Sequence, residues 1–228
     1  CVTRLIGKEG VFIFEDPYFL DIVEKTSYDQ IYDEHVWYFT VSFINKVLGS
    51  YGFHVFDCEH IDVHGGELRM YVGHKDTYPA KPAVGEWLAK ETDLPGKLEV
   101  LKKNIERSKK DLVALLTKIK VEGKTICGFA ATSKATTIFN YCGIGPGLIP
   151  FVTDTTPEKQ GRYYPGVHIP VVPQDVFEAG VGTGYGTGVL EEARFVVQRQ
   201  DQAVDFEQHL LFVHVRVQVP FFLGHHDG

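Results

Sequence analysis

The chain has 228 residues and a net charge of -7. That balance argues against a nucleic-acid binder, which needs a basic face for phosphates; no apolar run reaches the ~20 residues of a membrane helix. With 44% hydrophobic and 23% charged residues it reads as a soluble globular protein, long enough for one large domain or two small ones, and four scattered cysteines without a CxxC pair suit a reducing, cytoplasmic setting.

Residues 11–14, Val-Phe-Ile-Phe, form a short apolar run ended by acid and proline, which predicts a buried strand. Residues 16–36 show little periodicity and read as a loop. A helix is expected over about 40–50, with Val41, Ile44, Val47 and Leu48 on one face and Tyr51-Gly52 as its stop. Two strands follow at 54–61 and 67–73, joined through His64-Gly65-Gly66. The prolines and glycine between 74 and 96 mark a linker around one short helix at 84–90. A long helix is predicted over 97–120, its stripe running through Leu98, Leu101, Ile105, Leu112, Leu115 and Ile119. A second α/β unit opens at Lys124. Strand 125–130, turn 131–134, helix 135–141, strand 148–153 and strand 168–172 argue for a parallel arrangement. After about Gln174 a glycine-dense run, Gly180 to Gly188, leads into a tail without a clear period.

Four ordered strings carry a family likeness: EDPYFLDIVEKTSYDQIYDEHVWYF at 15–39; Val63-His64-Gly65-Gly66-Glu67-Leu68-Arg69; the stretch 128–134 running on to 140–146; and the stretch 154–162 with 165–170. Together they resemble the sugar C-methyltransferases, enzymes that methylate a ring carbon of nucleotide-linked 4-keto-deoxysugars. The resemblance implies the end of a class I methyltransferase domain at 1–78, a linker and connecting helix at 79–120, a partial second Rossmann-like domain at 121–175 and an atypical, poorly ordered tail at 176–228. It implies S-adenosylmethionine as methyl donor. The family's donor loop would lie upstream of Cys1, so this chain is expected to be an incomplete, inactive part of its parent. The family's cysteine-rich zinc module also has no counterpart here.

Methylation beside a ketone needs a base for the α proton and partners for the developing oxyanion. Tyr32-Asp33-Glu34-His35 packs a phenol, two carboxylates and an imidazole into four positions, and imidazole titrates near neutral pH. The resemblance makes His35 the base, with Tyr32 and Glu34 around the sugar. Taken alone, a loop histidine beside two acids is more often a surface or capping group. His64 is either a substrate-side residue or part of a plain strand connection. Its spacing from His60 along an extended chain does not suit a shared metal, and none is expected.

The turn Ala131-Thr132-Ser133-Lys134 offers free backbone N–H groups at a helix start. Ser133 and Lys134 are assigned to the pyrophosphate of a nucleotide sugar, against ordinary capping as the simpler reading. Glu178-Ala-Gly-Val-Gly-Thr-Gly184 has the form of a donor-binding glycine loop, but the approach is interrupted by Pro173-Gln174-Asp175 and it is rejected. A nucleotide-sugar-binding module, or a nucleotide-sugar enzyme that does not methylate, remains the alternative.

Overall fold

A computed structural model of the protein describes residues 2–63 and 65–178 together with 198–199, 202–203 and 211–213. Its mixed α/β chain divides into two compact units: residues 1–27 with 33–104, and residues 28–32 with 105–228. The division falls inside the long helix, within the 79–120 stretch read as linker and connecting helix, and residues 28–32 are grouped with the second unit.

The first unit runs α1 (Val2–Leu5), β1 (Phe12–Pro17), α2 (Phe19–Lys25), α3 (Val41–Gly49), β2 (Phe53–Ile61), β3 (Glu67–His74), α4 (Pro82–Lys90) and the start of α5 (Leu94–Val121). Its sheet has the order β1-β3-β2, with β3 antiparallel to both neighbours, so β1 and β2 run the same way. Alternation along β3 sets the two faces. Leu68, Met70 and Val72 are fully buried in one cluster with Val41 and Ile44 of α3 and Val84 of α4. On β3 between them, Arg69 donates to Glu15 (2.8 Å) and Glu59 (3.0 Å) across the strands. The sequence reading takes 16–36 as loop, whereas α2 occupies part of it. Leu20, Asp21, Ile22 and Val23 are buried in succession and Glu24 alone of the helix is exposed, so seven residues show little amphipathic period.

The second unit contains a short 3-10 turn (Tyr28–Gln30), the rest of α5, β4 (Ile126–Phe129), α6 (Ser133–Cys142), β5 (Val152–Thr153), β6 (Val171–Val172), α7 (Asp175–Glu178), β7 (Gln198–Arg199), β8 (Gln202–Ala203) and β9 (Leu211–Val213). The parallel sheet has the order β6-β5-β4-β9, and β7 and β8 form a separate antiparallel pair. Its core gathers Ile126, Ile138, Phe139, Ile144, Ile149, Val152 and Ile169. On α5 the buried contact is Leu116, while Leu115 is 52% exposed. A stripe through 105, 112, 116 and 119 follows the helical repeat more closely than one through 115. Of the 176–228 tail, the end of α7 and three short strands are described; the glycine run lies outside the described residues.

Candidate functional site

In the first unit, three segments meet at the exit of β1. The Tyr18 amide donates to the Gly66 carbonyl at 3.2 Å, and the Phe19 amide donates to the Phe39 carbonyl at 3.1 Å. The chain just past Pro17 thus fastens both the end of the 33–40 loop and the turn that joins β2 to β3. Because β1 and β2 are co-directional, these are loops at the carboxyl ends of strands, where α/β sheets place ligands. Gly66 has φ +118°, and a β-carbon there would fall 2.5 Å from the Asp21 carboxyl carbon, so no other residue fits. Asp21, buried, accepts from His60 Nε2 at 2.9 Å. Lys25 Nζ donates to the Gly65 carbonyl at 2.6 Å.

His35 and Tyr32 are half-buried and Glu34 is exposed. Burial raises the Asp16 carboxyl above its ordinary range, and the charge of nearby His35 acts in the opposite direction. Sequence reasoning passed over Asp16; its signal was the acidic pair Glu15-Asp16 directly before Pro17. The loop's far end is held by a buried carboxylate. Glu91 accepts from the Tyr18 hydroxyl (3.0 Å) and from the backbone amides of Val41 (2.6 Å) and Ser42 (2.7 Å) at the start of α3. Burial and this carboxylate push the Tyr18 phenol far above its ordinary value. A negative group on a helix N-terminus is favourable, and Thr40 caps the same turn by accepting from the Phe43 amide. Replacing Glu91 with Gln should lower the stability of this unit by about 2 kcal/mol, through loss of charge-assisted bonds to buried donors. A urea titration with a lower midpoint and an unchanged slope is the expected result.

The second unit carries a cleft of about 230 Å³ beside the N-terminus of α6. Ala131, Thr132, Ser133 and Thr136 line one side; Lys159, Arg162, Tyr163 and Tyr164 supply much of the other. Thr132 caps α6, its hydroxyl accepting from the Ala135 amide at 3.1 Å. Asp154, at the end of β5, organises the floor. Its carboxylate accepts from the amides of Ala131 (2.7 Å) and Thr156 (2.8 Å) and from Lys159 Nζ (3.1 Å). Burial alone would raise this carboxyl, but the bonds from Thr156, Lys159 and Ala131 outweigh it and hold it at about 2. Tyr164 closes the corner, its hydroxyl donating to the Ala130 carbonyl and accepting from the Thr132 amide, both at 3.2 Å. Two cations at a helix N-terminus past the ends of parallel strands form a place for an anionic group.

The C-methyltransferase C-terminal domain family matches residues 62–180. The chain belongs to the C-methyltransferase family, in its C-terminal region. The C-methyltransferase NovU of Streptomyces niveus is 31% identical over 175 residues, which cover 75% of this chain and 42% of that protein. The chain therefore spans less than half the length of this curated relative.

In this C-methyltransferase segment the structure distributes the sequence-predicted residues unevenly. Glu34 and His35 belong to the first unit and Tyr32 to the second. His64 lies outside the described residues, although Gly65 and Gly66 beside it are fixed by Lys25 and Tyr18. Ser133 lines the cleft, whereas Lys134 is not among its lining residues. The basic groups there come from Lys159 and Arg162, within a string that the sequence reading used only as a mark of resemblance. No helix among the described residues is long and apolar enough to cross a membrane.

Proposed function

We propose that the parent enzyme transfers a methyl group from S-adenosylmethionine to the carbon beside the ketone of a nucleotide-linked 4-keto-deoxysugar. His35 removes the α proton, Asp16 holds its ring in a charged neighbourhood, and Tyr32 and Glu34 contact the sugar. Lys159, Arg162 and the first turn of α6 take the pyrophosphate. The observation that carries the nucleotide half of this reading is the cleft itself, where a capped helix start and two cations converge on the end of a parallel sheet. The β1-β3-β2 order, with an antiparallel strand between two co-directional ones, suits the closing edge of a class I methyltransferase sheet.

The residues described do not fit the donor. The connections from β1 to α2 and from β4 to α6 pass through Tyr18 and through Ala130, Ala131 and Thr132, and neither is a glycine loop open to an adenosyl group. The chemistry this chain supplies in that reaction is proton removal and substrate holding. The proposed partner is a nucleotide-sugar substrate, not nucleic acid or membrane, and the proposed setting is cytoplasmic.

Calorimetry with thymidine diphosphate and uridine diphosphate tests the cleft. Each of Lys159→Met and Arg162→Met should weaken diphosphate binding by roughly tenfold, the loss of one charge-assisted contact. Equal affinity in wild type and both variants would rule the cleft out as the pyrophosphate site. Lys159→Met also removes a partner of Asp154, so Arg162→Met, whose guanidinium has no ion pair among the described residues, is the cleaner of the two.

A further inference from the structure

The lining of the cleft carries two kinds of surface. One is cationic. Lys159 Nζ is already held by the Asp154 carboxylate at 3.1 Å and the Ala131 carbonyl at 2.8 Å, so the charge that no described residue balances is that of Arg162. The other is aromatic. Tyr163, the chain neighbour of Arg162, lines the same cleft and is 63% exposed, with Pro165 two residues on. Among the described residues that line the cleft there is no carboxylate and no carboxamide side chain.

The fold treats the two adjacent tyrosines in opposite ways. The Tyr164 ring is buried, meets Phe139 edge to face with centroids 5.1 Å apart, and has its hydroxyl tied to Ala130 and Thr132. The Tyr163 side chain makes no ring contact and no hydrogen bond among the described residues. Its backbone is fixed all the same. The Gly161 amide donates to the Val171 carbonyl at 2.9 Å, the Val171 amide to the Arg162 carbonyl at 2.8 Å and the Tyr164 amide to the Ile169 carbonyl at 2.9 Å, and Tyr163 itself is bridged antiparallel to Pro170. Alternation along this extended segment sends Tyr164 inward and Tyr163 outward. The result is an uncovered ring, presented by a hydrogen-bonded backbone, directly beside the unbalanced guanidinium.

We propose that Tyr163 is the platform on which the nucleobase of the nucleotide sugar stacks, while the diphosphate lies on Arg162 and the first turn of α6. Every base has a face that can stack on an aromatic ring. Bonding a base by its edge takes paired donors and acceptors, which carboxylate and carboxamide side chains supply and this lining lacks. The cleft therefore reads the face of the base and accepts thymine and uracil alike. The inference rests on the reading of the cleft as a nucleotide diphosphate site and adds which part of the chain receives the nucleoside.

Calorimetry with thymidine diphosphate, uridine diphosphate and inorganic pyrophosphate tests it. The two nucleotides should bind the wild-type chain within about twofold of each other. Tyr163→Ala should weaken both by roughly fivefold to tenfold, the stacking of one base, and should leave pyrophosphate affinity unchanged. Tyr163→Phe, which keeps the ring, should bind as the wild type does. Tyr163→Trp adds a fluorophore to a unit that has none, since Trp37 and Trp87 both belong to the other. Its emission should be quenched by thymidine diphosphate and not by pyrophosphate. Equal nucleotide affinity in the wild type and Tyr163→Ala overturns the platform and leaves the phosphate site standing, provided that Arg162→Met still weakens binding. An equal loss for pyrophosphate and the nucleotides in Tyr163→Ala also overturns it, because the ring would then act on the phosphates or on the segment that carries it. Absence of binding for all three ligands overturns both readings.

Discussion

Replacing His35 with Gln is expected to reduce kcat of the intact methyltransferase by about 10²- to 10⁴-fold, the usual contribution of a positioned general base. Glutamine preserves much of the size and polarity of the imidazole but cannot accept a proton from carbon. The loss should fall on kcat, since the proposed role lies in the reaction and not in holding the nucleotide. A second readout separates base chemistry from damage to the fold. In heavy water the wild-type enzyme should exchange the α hydrogen of the keto-sugar for deuterium without methyl donor, and the variant should not. Asp16→Asn should give a smaller loss, because it removes a charge near the ring and leaves the ring itself. Full deuterium exchange in the His35→Gln enzyme would remove His35 from the role of base.

Much of the architecture could be read from residue patterns. The 54–61 and 67–73 strands were visible because Leu68, Met70 and Val72 alternate with polar residues, and that alternation is what a one-face sheet demands. The helix at 40–50 was legible from its apolar face, Val41, Ile44, Val47 and Leu48, and the structure adds a Thr40 cap to it. What escaped had two physical causes. The first was a run of buried residues: Leu20 to Val23 of α2 are buried in succession, so the short helix carries little amphipathic signal, and Asp21 within it is a buried acid whose partner, His60, is 39 residues away. The second was non-local placement. Nothing in Tyr28 to Tyr32 distinguishes them from their neighbours, yet Tyr28 sits in the core beside Cys142, 114 residues on. The cleft's cations were missed for a related reason. Proximity in sequence to the α6 turn favoured Lys134, whereas the fold delivers Lys159 and Arg162 from the loop after β5, tied to the turn by the Asp154 carboxylate on the Ala131 amide and by Lys159 Nζ, which donates to the Ala131 carbonyl at 2.8 Å.

That carboxylate is the basis of the second large expectation. Replacing Asp154 with Asn should destabilise the second unit by about 3 kcal/mol at neutral pH, because three donors, the amides of Ala131 and Thr156 and the Lys159 ammonium, converge on a side chain that is 5% exposed. Even with its oxygen turned to Ala131 and Lys159, an Asn amide presents hydrogens to the Thr156 amide. The effect should depend on pH with a definite sign. The folded carboxyl is held at about 2, below the ordinary 3.8, so its contribution to stability is complete above about 4 and is lost as the pH falls through about 2. Wild type and Asp154→Asn should therefore differ most in thermal midpoint from neutral pH down to about 4, and should converge between about 4 and 2 as the wild-type carboxyl takes up its proton. A gap that persists unchanged at pH 2 would mean that the side chain acts by shape, not by charge. Convergence at low pH would establish the Asp154–Lys159 loop as an electrostatic brace that sets the cleft wall in place before any ligand arrives.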